Sequence, residues 1–472
     1  MAINSSYKLS VIISDIRFWI LAFLLLRLYG ISDPPIEIAH SWRQVCGNMI
    51  ARNFLEIDAN IFFPRLDMAG EKSGITGTEF PLLNYLIYLV SKLFGYAHWY
   101  GRLINLLVSS IGTYYFFRII SKHINSKLAF NATIMLLVSI WFSYSRKIMP
   151  DTFSVAIVIA GLYFGLEYMY RKATRWNLML YTILAASGIL CKIPSIIILS
   201  PIMLLLFDAN ISIRRKVNIT ASSGMIMLLP GFWYFYWVPH LVEEFGYWHY
   251  YMGTSISQGL HELFNYKFLI AEKFFFDAMK FSGFSLFIFG LVRLYINKEK
   301  QLSAILIFSF FLFILFILIA GNNFPRHSYY IIPYVPFMVL AAAYGLNTIK
   351  RRWIQIFLLV FIVVEGIGNQ QHDFRLKQSE TYKLKLEEIA DRVSNPNDLI
   401  AINGNENPQE LYFTHRKGWT ISNEKCADTL FLDIIKKKGC KYLFINKKDS
   451  VNLHYLGEKV FEDNNYKVFS MQ

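Results

Sequence analysis

The sequence predicts an α-helical polytopic membrane protein with a large outer loop bearing interfacial helices and a small C-terminal α/β soluble domain. Three observations carry that class. The 472 residues are 55% hydrophobic, 17% aromatic and only 17% charged, against about 25% charged in soluble domains. Apolar runs long enough to cross about 30 Å of hydrocarbon recur through residues 1–376. From residue 377 the pattern changes to short strand-type runs separated by turn residues.

The same numbers exclude other classes. Lys and Arg (47) exceed Asp and Glu (33), but the basic residues fall between apolar spans and not on one soluble face, so they report topology and not nucleic acid. Neither a GxGxxG nor a phosphate loop occurs, so no nucleotide is expected. Cys46, Cys191, Cys426 and Cys440 lack metal-type CxxC spacing; Cys426 with Cys440 is the one pairing considered. No small-residue cleavage site follows the first apolar run, which reads as an uncleaved first helix.

Taken in order, eleven spans are expected, at residues 11–30, 100–120, 128–142, 152–170, 178–190, 193–207, 217–238, 268–296, 302–320, 329–349 and 353–368. A twelfth apolar run, 80–95, is short and carries Asn84 and Lys92, and charge decides its place. If it does not span, the short loops on the N-terminal side hold Lys122, Lys127, Arg171, Lys172, Arg175, Arg214, Arg215, Lys216, Lys298, Lys300, Lys350, Arg351 and Arg352. The opposite short loops hold only Arg146, Lys147, Lys192 and Arg326. Thirteen against four puts the N-terminus in the cytoplasm and the C-terminus outside. Residues 80–95 therefore read as an interfacial helix on the outer leaflet. Every long polar segment then falls on the outer face: residues 31–99, 143–151, 239–267, 322–328 and the tail.

The tail, 377–472, reads as a separate extracytoplasmic domain beside a membrane domain of residues 1–376. Leu399 to Asn403 and Tyr442 to Asn446 are strand-type runs, residues 428–438 have helical spacing, and Asp463, Asn464 and Asn465 make a hairpin turn between residues 460–461 and 466–469.

Chemistry is sought in the outer loops. The first loop carries Glu37 and His40, then Arg43, Arg52, Asp58, Arg65, Asp67 and Glu79. A polar site at a membrane needs arginines for a lipid phosphate and a carboxylate or histidine base within reach of an acceptor hydroxyl. Ser145 to Asp151 opens a span, with Arg146, Lys147 and, after Pro150, an acid placed to meet a helix dipole; interfacial anchoring accounts equally for the two cations. The 239–267 loop is aromatic, with His240, His249 and His261, and suits either a headgroup belt or stacking on sugar rings. Residues 322–330 present Arg326, and Lys192 sits in an outer turn, where snorkelling is its plain reading.

These segments resemble the GT-C glycosyltransferases that use lipid-phosphate sugars, in particular the protein O-mannosyltransferase and aminoarabinose transferase group. The resemblance is carried by PPIEIAHSWRQ at 34–44, ARNF at 51–54, TEFPLLNY at 78–85, LFG at 93–95, Arg102, MPD at 149–151 and RHSYYIIPYVP at 326–336. It implies transfer, with inversion, of a sugar from a polyprenyl-phosphate carrier to a lipid, glycan or protein acceptor, most simply at a bacterial inner membrane. It maps an acidic position onto Asp151 and another onto Glu79, which with His249 would hold a divalent metal ion. Donor-phosphate contacts would come from Arg43, Arg102, Arg146, Lys147, Lys192 and Arg326. The chain departs from the family in two places. Phe80 stands where a lysine is usual, and the Asp-Glu pair after the first span is missing, leaving Glu37 or His40 to take that role beside Asp151. A transporter or flippase for a lipid-linked glycan would show charged spans and internal repeats, and the chain has few of the former and no convincing repeat. A catalytically silent assembly partner is the other alternative.

Overall fold

The computed structural model describes residues 12–248, 253–448 and 457–472. The chain divides into two compact units. The first comprises the described residues of Met1–Ile31, Arg102–Tyr234 and Tyr251–Phe374, and the second those of Ser32–Gly101, Phe235–Tyr250 and Arg375–Gln472. The outer loop thus groups with the C-terminal segment and not with the membrane helices that flank it in sequence.

The first unit is helical. Six described helices are long and apolar enough to cross a membrane, namely Tyr100–His123, Pro150–Tyr170, Ile213–Phe245, whose residues from Phe235 on fall in the second unit, Lys300–Ala320, Ser328–Thr348 and Arg352–Phe374. A seventh counts if Lys267–Ala278 and Lys280–Ile296, bent by 99°, form one span. The bend falls at Lys280, whose φ of 60° is left-handed and interrupts the helical run. The other expected spans fall on shorter helices, Ile16–Arg27, Ser126–Val138, Arg175–Cys191 and Ile193–Leu205.

Small residues let these helices approach closely. A Cβ on Gly290 would meet the Ala341 carbonyl oxygen at 1.9 Å, and one on Gly161 would meet the Ala185 nitrogen at 2.9 Å. Without a hydrophobic driving force in lipid, such backbone approach is what packs helices together. The core between them is built of Leu136, Ile159, Ile189, Val335 and Leu346, all essentially inaccessible.

Contacts also join neighbouring helix ends and turns. Lys122 Nζ donates to Glu167 Oε1 at 2.7 Å, and Arg215 Nη1 to the Met169 carbonyl at 2.7 Å. The Tyr144 and Ser328 hydroxyls share a hydrogen bond of 2.5 Å, and Lys192 faces Tyr329 and Tyr330.

In the second unit the helix Ser41–Glu56 packs beside Leu82–Phe94. At 13 residues the latter is too short to span. It buries Leu83, Ile87 and Tyr88, and leaves Leu89, Leu93 and Phe94 exposed, so both faces are apolar. The 239–267 stretch, read as a loop, is partly helical: Val238–Phe245 is a helix of this unit and Ile256–Phe264 a helix of the first.

The C-terminal segment carries a five-stranded sheet of order β2-β1-β3-β5-β4, with β1 Leu399–Ile402, β2 Gly418–Thr420, β3 Cys440–Asn446, β4 Lys459–Glu462 and β5 Tyr466–Ser470. β1 pairs in parallel with β2 and β3, while β5 runs antiparallel to β3 and β4. Three residues of β2 are too few to leave an alternating pattern, and the sequence does not announce it. Cys426 and Cys440 are both buried free thiols and do not pair.

One core joins the loop to this sheet. Ile36, Val45, Met49, Phe54 and Leu66 pack with Leu386, Ile400, Leu411, Phe444 and Val468. Lys377 N–H donates to the Ile36 carbonyl at 2.9 Å, Gly418 N–H to Asp67 O at 2.9 Å, and Gly70 N–H to Gly418 O at 2.7 Å. Each such buried aliphatic or aromatic side chain contributes about 1.5–3 kcal/mol.

Candidate active site

In the first unit the candidates gather where the Pro150–Tyr170 helix begins. Met149 is extended, Pro150 takes the first helical position, where its missing N–H costs nothing, and Asp151 occupies the first turn. That places a carboxylate at the positive end of the helix dipole. Asp151 is 4% exposed. Lys192 Nζ stands 3.8 Å from its Oδ1, and this ammonium also faces the rings of Tyr329 and Tyr330 at 5.8 and 5.5 Å. Lys192 takes this place because the helix Arg175–Cys191 stops there: its backbone is extended, and Pro194 follows in the 3-10 turn Ile193–Leu199.

The segment before Asp151 is fixed by Asn105. Its Nδ2 donates to the Lys147 carbonyl at 2.8 Å and the Thr152 hydroxyl at 3.1 Å. Arg102, one turn earlier, is fully buried and donates to the Ile31 carbonyl at 3.3 Å. The Arg146 guanidinium lies 4.2 Å above the Phe374 ring, and Lys147 is buried beside Tyr144. Burial holds the Tyr144 hydroxyl well above its ordinary titration range, so it stays neutral and can donate.

Sequence reasoning missed Arg27. It ends an apolar helix, is fully buried, and donates to the Phe23 carbonyl at 2.9 Å and the Ser145 hydroxyl at 2.5 Å. Its Nη2 meets no partner among the described residues. An ionisable residue at the end of an apolar run was the available signal. Arg27, Arg102, Arg146, Lys147 and Lys192 are thus buried cations in the unit that holds Asp151.

Arg326 is different. It closes the short helix Asn323–Arg326 and its side chain is exposed.

In the second unit, Glu37 is 3% exposed and accepts from Gln44 Nε2 at 2.7 Å. His40 precedes the Ser41–Glu56 helix with φ 60°, a left-handed position that histidine tolerates, and makes no side-chain cap. Arg43 and Glu79 form an ion pair with each other. The expected phosphate ligand and the expected metal ligand are therefore partners within one unit. His249 lies outside the described residues. Among the described residues no group of three or more His, Cys, Asp or Glu could hold a metal ion. Glu79, the described member of the expected metal pair, is held by the Arg43 guanidinium. Asp67 is a structural acid: it accepts from Arg52 and Asn53, each at 2.8 Å.

Comparison with known proteins adds to this geometry. Residues 78–237 match the model of the dolichyl-phosphate-mannose-protein mannosyltransferase family. That segment contains Glu79, Arg102, Arg146, Lys147, Asp151 and Lys192. An uncharacterized protein of Aquifex aeolicus is 24% identical over 293 residues, 60% of this chain and 56% of that one, so the match spans little more than half of that relative. Among solved structures, ArnT from Cupriavidus metallidurans bound to undecaprenyl phosphate superposes with a TM-score of 0.60 at 12% identity, covering 96% of this chain and 97% of that one. The oligosaccharyltransferase AglB from Archaeoglobus fulgidus, in complex with an inhibitory peptide and a dolichol-phosphate, superposes with a TM-score of 0.54 at 11% identity, covering 91% and 69%. The chain therefore has the fold of the polyprenyl-phosphate-dependent GT-C glycosyltransferases, and its residues 78–237 carry the pattern of their protein mannosyltransferase family.

Proposed function

We propose that this protein is a multi-pass membrane glycosyltransferase that moves one sugar from a polyprenyl-phosphate carrier to an acceptor hydroxyl on the extracytoplasmic face of a bacterial inner membrane. The observation that carries the reading is Asp151, a buried carboxylate at a helix N-terminus, in the same unit as the buried cations Arg102, Arg146, Lys147 and Lys192. The matched family segment and the fold support it.

In this reading Asp151 takes the proton from the acceptor hydroxyl as its oxygen attacks the anomeric carbon, and the sugar–phosphate bond breaks with inversion. The cations stabilise the phosphate as negative charge builds on it, which is where fixed positive groups in a dry site act most strongly. Arg27 joins them, and Lys192 serves both sides by facing the carboxylate. Arg326, in the same unit, is proposed as an outer contact to the carrier phosphate. The acceptor is a lipid, glycan or protein. Eleven spans with an interfacial Leu82–Phe94 helix complete the proposed topology, the N-terminus cytoplasmic and the C-terminus outside.

The test gives the purified protein a polyprenyl-phosphate sugar together with candidate acceptors. Release of polyprenyl phosphate with formation of a glycosylated acceptor supports the reading. Movement of the intact lipid-linked sugar across a vesicle membrane without cleavage sinks it in favour of a transporter.

A further inference from the structure

The sheet of the C-terminal segment carries a feature for which the proposed transfer reaction has no use. β1 lies between β2 and β3 and is parallel to both, so the chain leaves β1 toward one side and later returns to its other side. Connections that diverge at such a reversal leave a crevice beyond the carboxyl ends of the strands, which is where open α/β sheets take ligands. Here a cavity of about 350 Å³ opens at that place, lined by Glu380, Tyr382, Lys383, Asn407, Glu410 and Asn446. Asn446 ends β3, and residues 404–410 follow β1. The volume falls in the range of about 300–1,000 Å³ typical of small-molecule sites.

Three polar groups of the cavity are buried, and hydrogen bonds tie them to their neighbours. Asn446 Nδ2 donates to Glu410 Oε1 and to the Tyr382 hydroxyl, each at 2.7 Å, and the Tyr466 hydroxyl donates to the same Glu410 oxygen at 3.0 Å. Lys383 Nζ donates to Gln409 Oε1 at 2.8 Å and Glu380 Oε2 at 3.3 Å. Glu410, Asn446 and Lys383 are 3%, 4% and 7% exposed. Gly404 keeps the space open: a Cβ there would meet the Asn407 carbonyl oxygen at 2.8 Å and Glu410 Oε2 at 3.6 Å. Opposite charges are both present in the lining, Glu380 and Glu410 against Lys383, and Lys448, outside it, stands 3.8 Å above the Tyr382 ring.

This lining selects by chemistry. An anion would face two carboxylates. A hydrocarbon would make no hydrogen bond to a lining of carboxylates, amides and an ammonium. Sugar hydroxyls both donate and accept, and so suit carboxylates, amides and an ammonium arranged around one space. We infer that this cavity is a binding site for one neutral sugar ring. The inference rests on the sheet and its loops alone, and stands whether or not the chain transfers sugars.

The experiment uses the full-length protein in a detergent without a sugar headgroup. Neutral hexoses, pentoses and N-acetylhexosamines, with glucose 6-phosphate as the charged comparator, are titrated by calorimetry and saturation-transfer NMR. At least one neutral sugar is expected to saturate the protein. Glu410→Gln keeps the side-chain shape but turns one acceptor into a donor, and should weaken that sugar at least tenfold with the thermal midpoint unchanged. Lys467→Gln, on β5 and away from the cavity lining, should bind as the parent does. If Glu410→Gln does not fold, Glu380→Gln reads the same rim. The inference is overturned if no neutral sugar saturates the parent protein, if the phosphorylated sugar binds more tightly, or if the folded rim variants bind unchanged. Sugar binding lost in Asp151→Asn and kept in Glu410→Gln would place the sugar elsewhere and overturn it as well.

Discussion

At the level of single residues, Asp151 and Lys192 are the pair on which the proposed chemistry turns. Removing the carboxylate in Asp151→Asn should lower the transfer rate by about 10²–10⁴-fold, the usual worth of a general base, without altering the thermal midpoint. Lys192→Met should lower it by about 10²-fold through the loss of one fixed positive group. A Lys192 variant with full activity would remove it from the site. His415 offers a prediction of another kind. Its ring nitrogens donate to the carboxylates of Glu387 and Glu56 at 2.9 and 3.0 Å, which raises its pKa from 6.5 to about 9. The stabilisation is therefore complete below about pH 6.5 and is lost as the pH rises through 9. The groups are partly exposed, so it amounts to about 0.2–1 kcal/mol. The thermal midpoint should fall between those pH values in the parent protein, and should not follow that course in His415→Asn, which tolerates the same left-handed backbone at φ 51°. Sequence alone offered Asp151 through Pro150 and Lys192 through its position in a turn, but not their meeting. It suggested Arg43 for a phosphate and Glu79 for a metal, because nothing in a one-dimensional pattern shows that two side chains so far apart pair with each other.

At the level of elements, the apolar runs were legible wherever they exceed a helix's crossing length, as at Pro150–Tyr170 and Lys300–Ala320. Runs such as 128–142 and 193–207 were legible as apolar but not as broken or short, since hydrophobicity records burial and not the geometry of the backbone within it. The strands β1 and β3 and the hairpin of β4 and β5 were visible from apolar runs and turn residues. β2 was not, because three residues leave no period. Helix approach depends on positions that composition does not reveal. Lys280–Ile296 and Val335–Thr348 touch where Gly290 meets the Ala341 carbonyl and Gly345 approaches Gly290. Gly290→Val should cost at least about 1–3 kcal/mol through overpacking, read as a lower thermal midpoint and a lower yield of monodisperse protein. A variant as stable as the parent would mean that these helices can part without loss.

At the level of the whole chain, the sequence suggested that residues 377–472 form a domain of their own, and the structure gives them a core shared with the outer loop. Trp42 Nε1 donates to the Glu406 carbonyl at 3.0 Å, Gln409 Nε2 to the Pro35 carbonyl at 3.1 Å, and Arg52 Nη1 to the Tyr412 carbonyl at 3.3 Å. Truncation before Lys377 should therefore unfold the loop as well as remove the sheet. Limited proteolysis should cut within residues 32–101 of the truncated protein and spare them in the full chain. A loop that stays protected after truncation would show that it folds alone.

That shared core also sets an order of events during synthesis. Pro35 leaves the ribosome 374 residues ahead of Gln409, an interval of roughly 20–75 s at bacterial translation rates. For that time Ile36, Val45, Met49 and Phe54 lack the C-terminal part of their core, Leu386, Ile400, Leu411, Phe444 and Val468, while the intervening helices are being inserted one after another. The outer loop is made early and finished last, so a nascent chain arrested before residue 386 would carry it as a site for holdase chaperones and proteases.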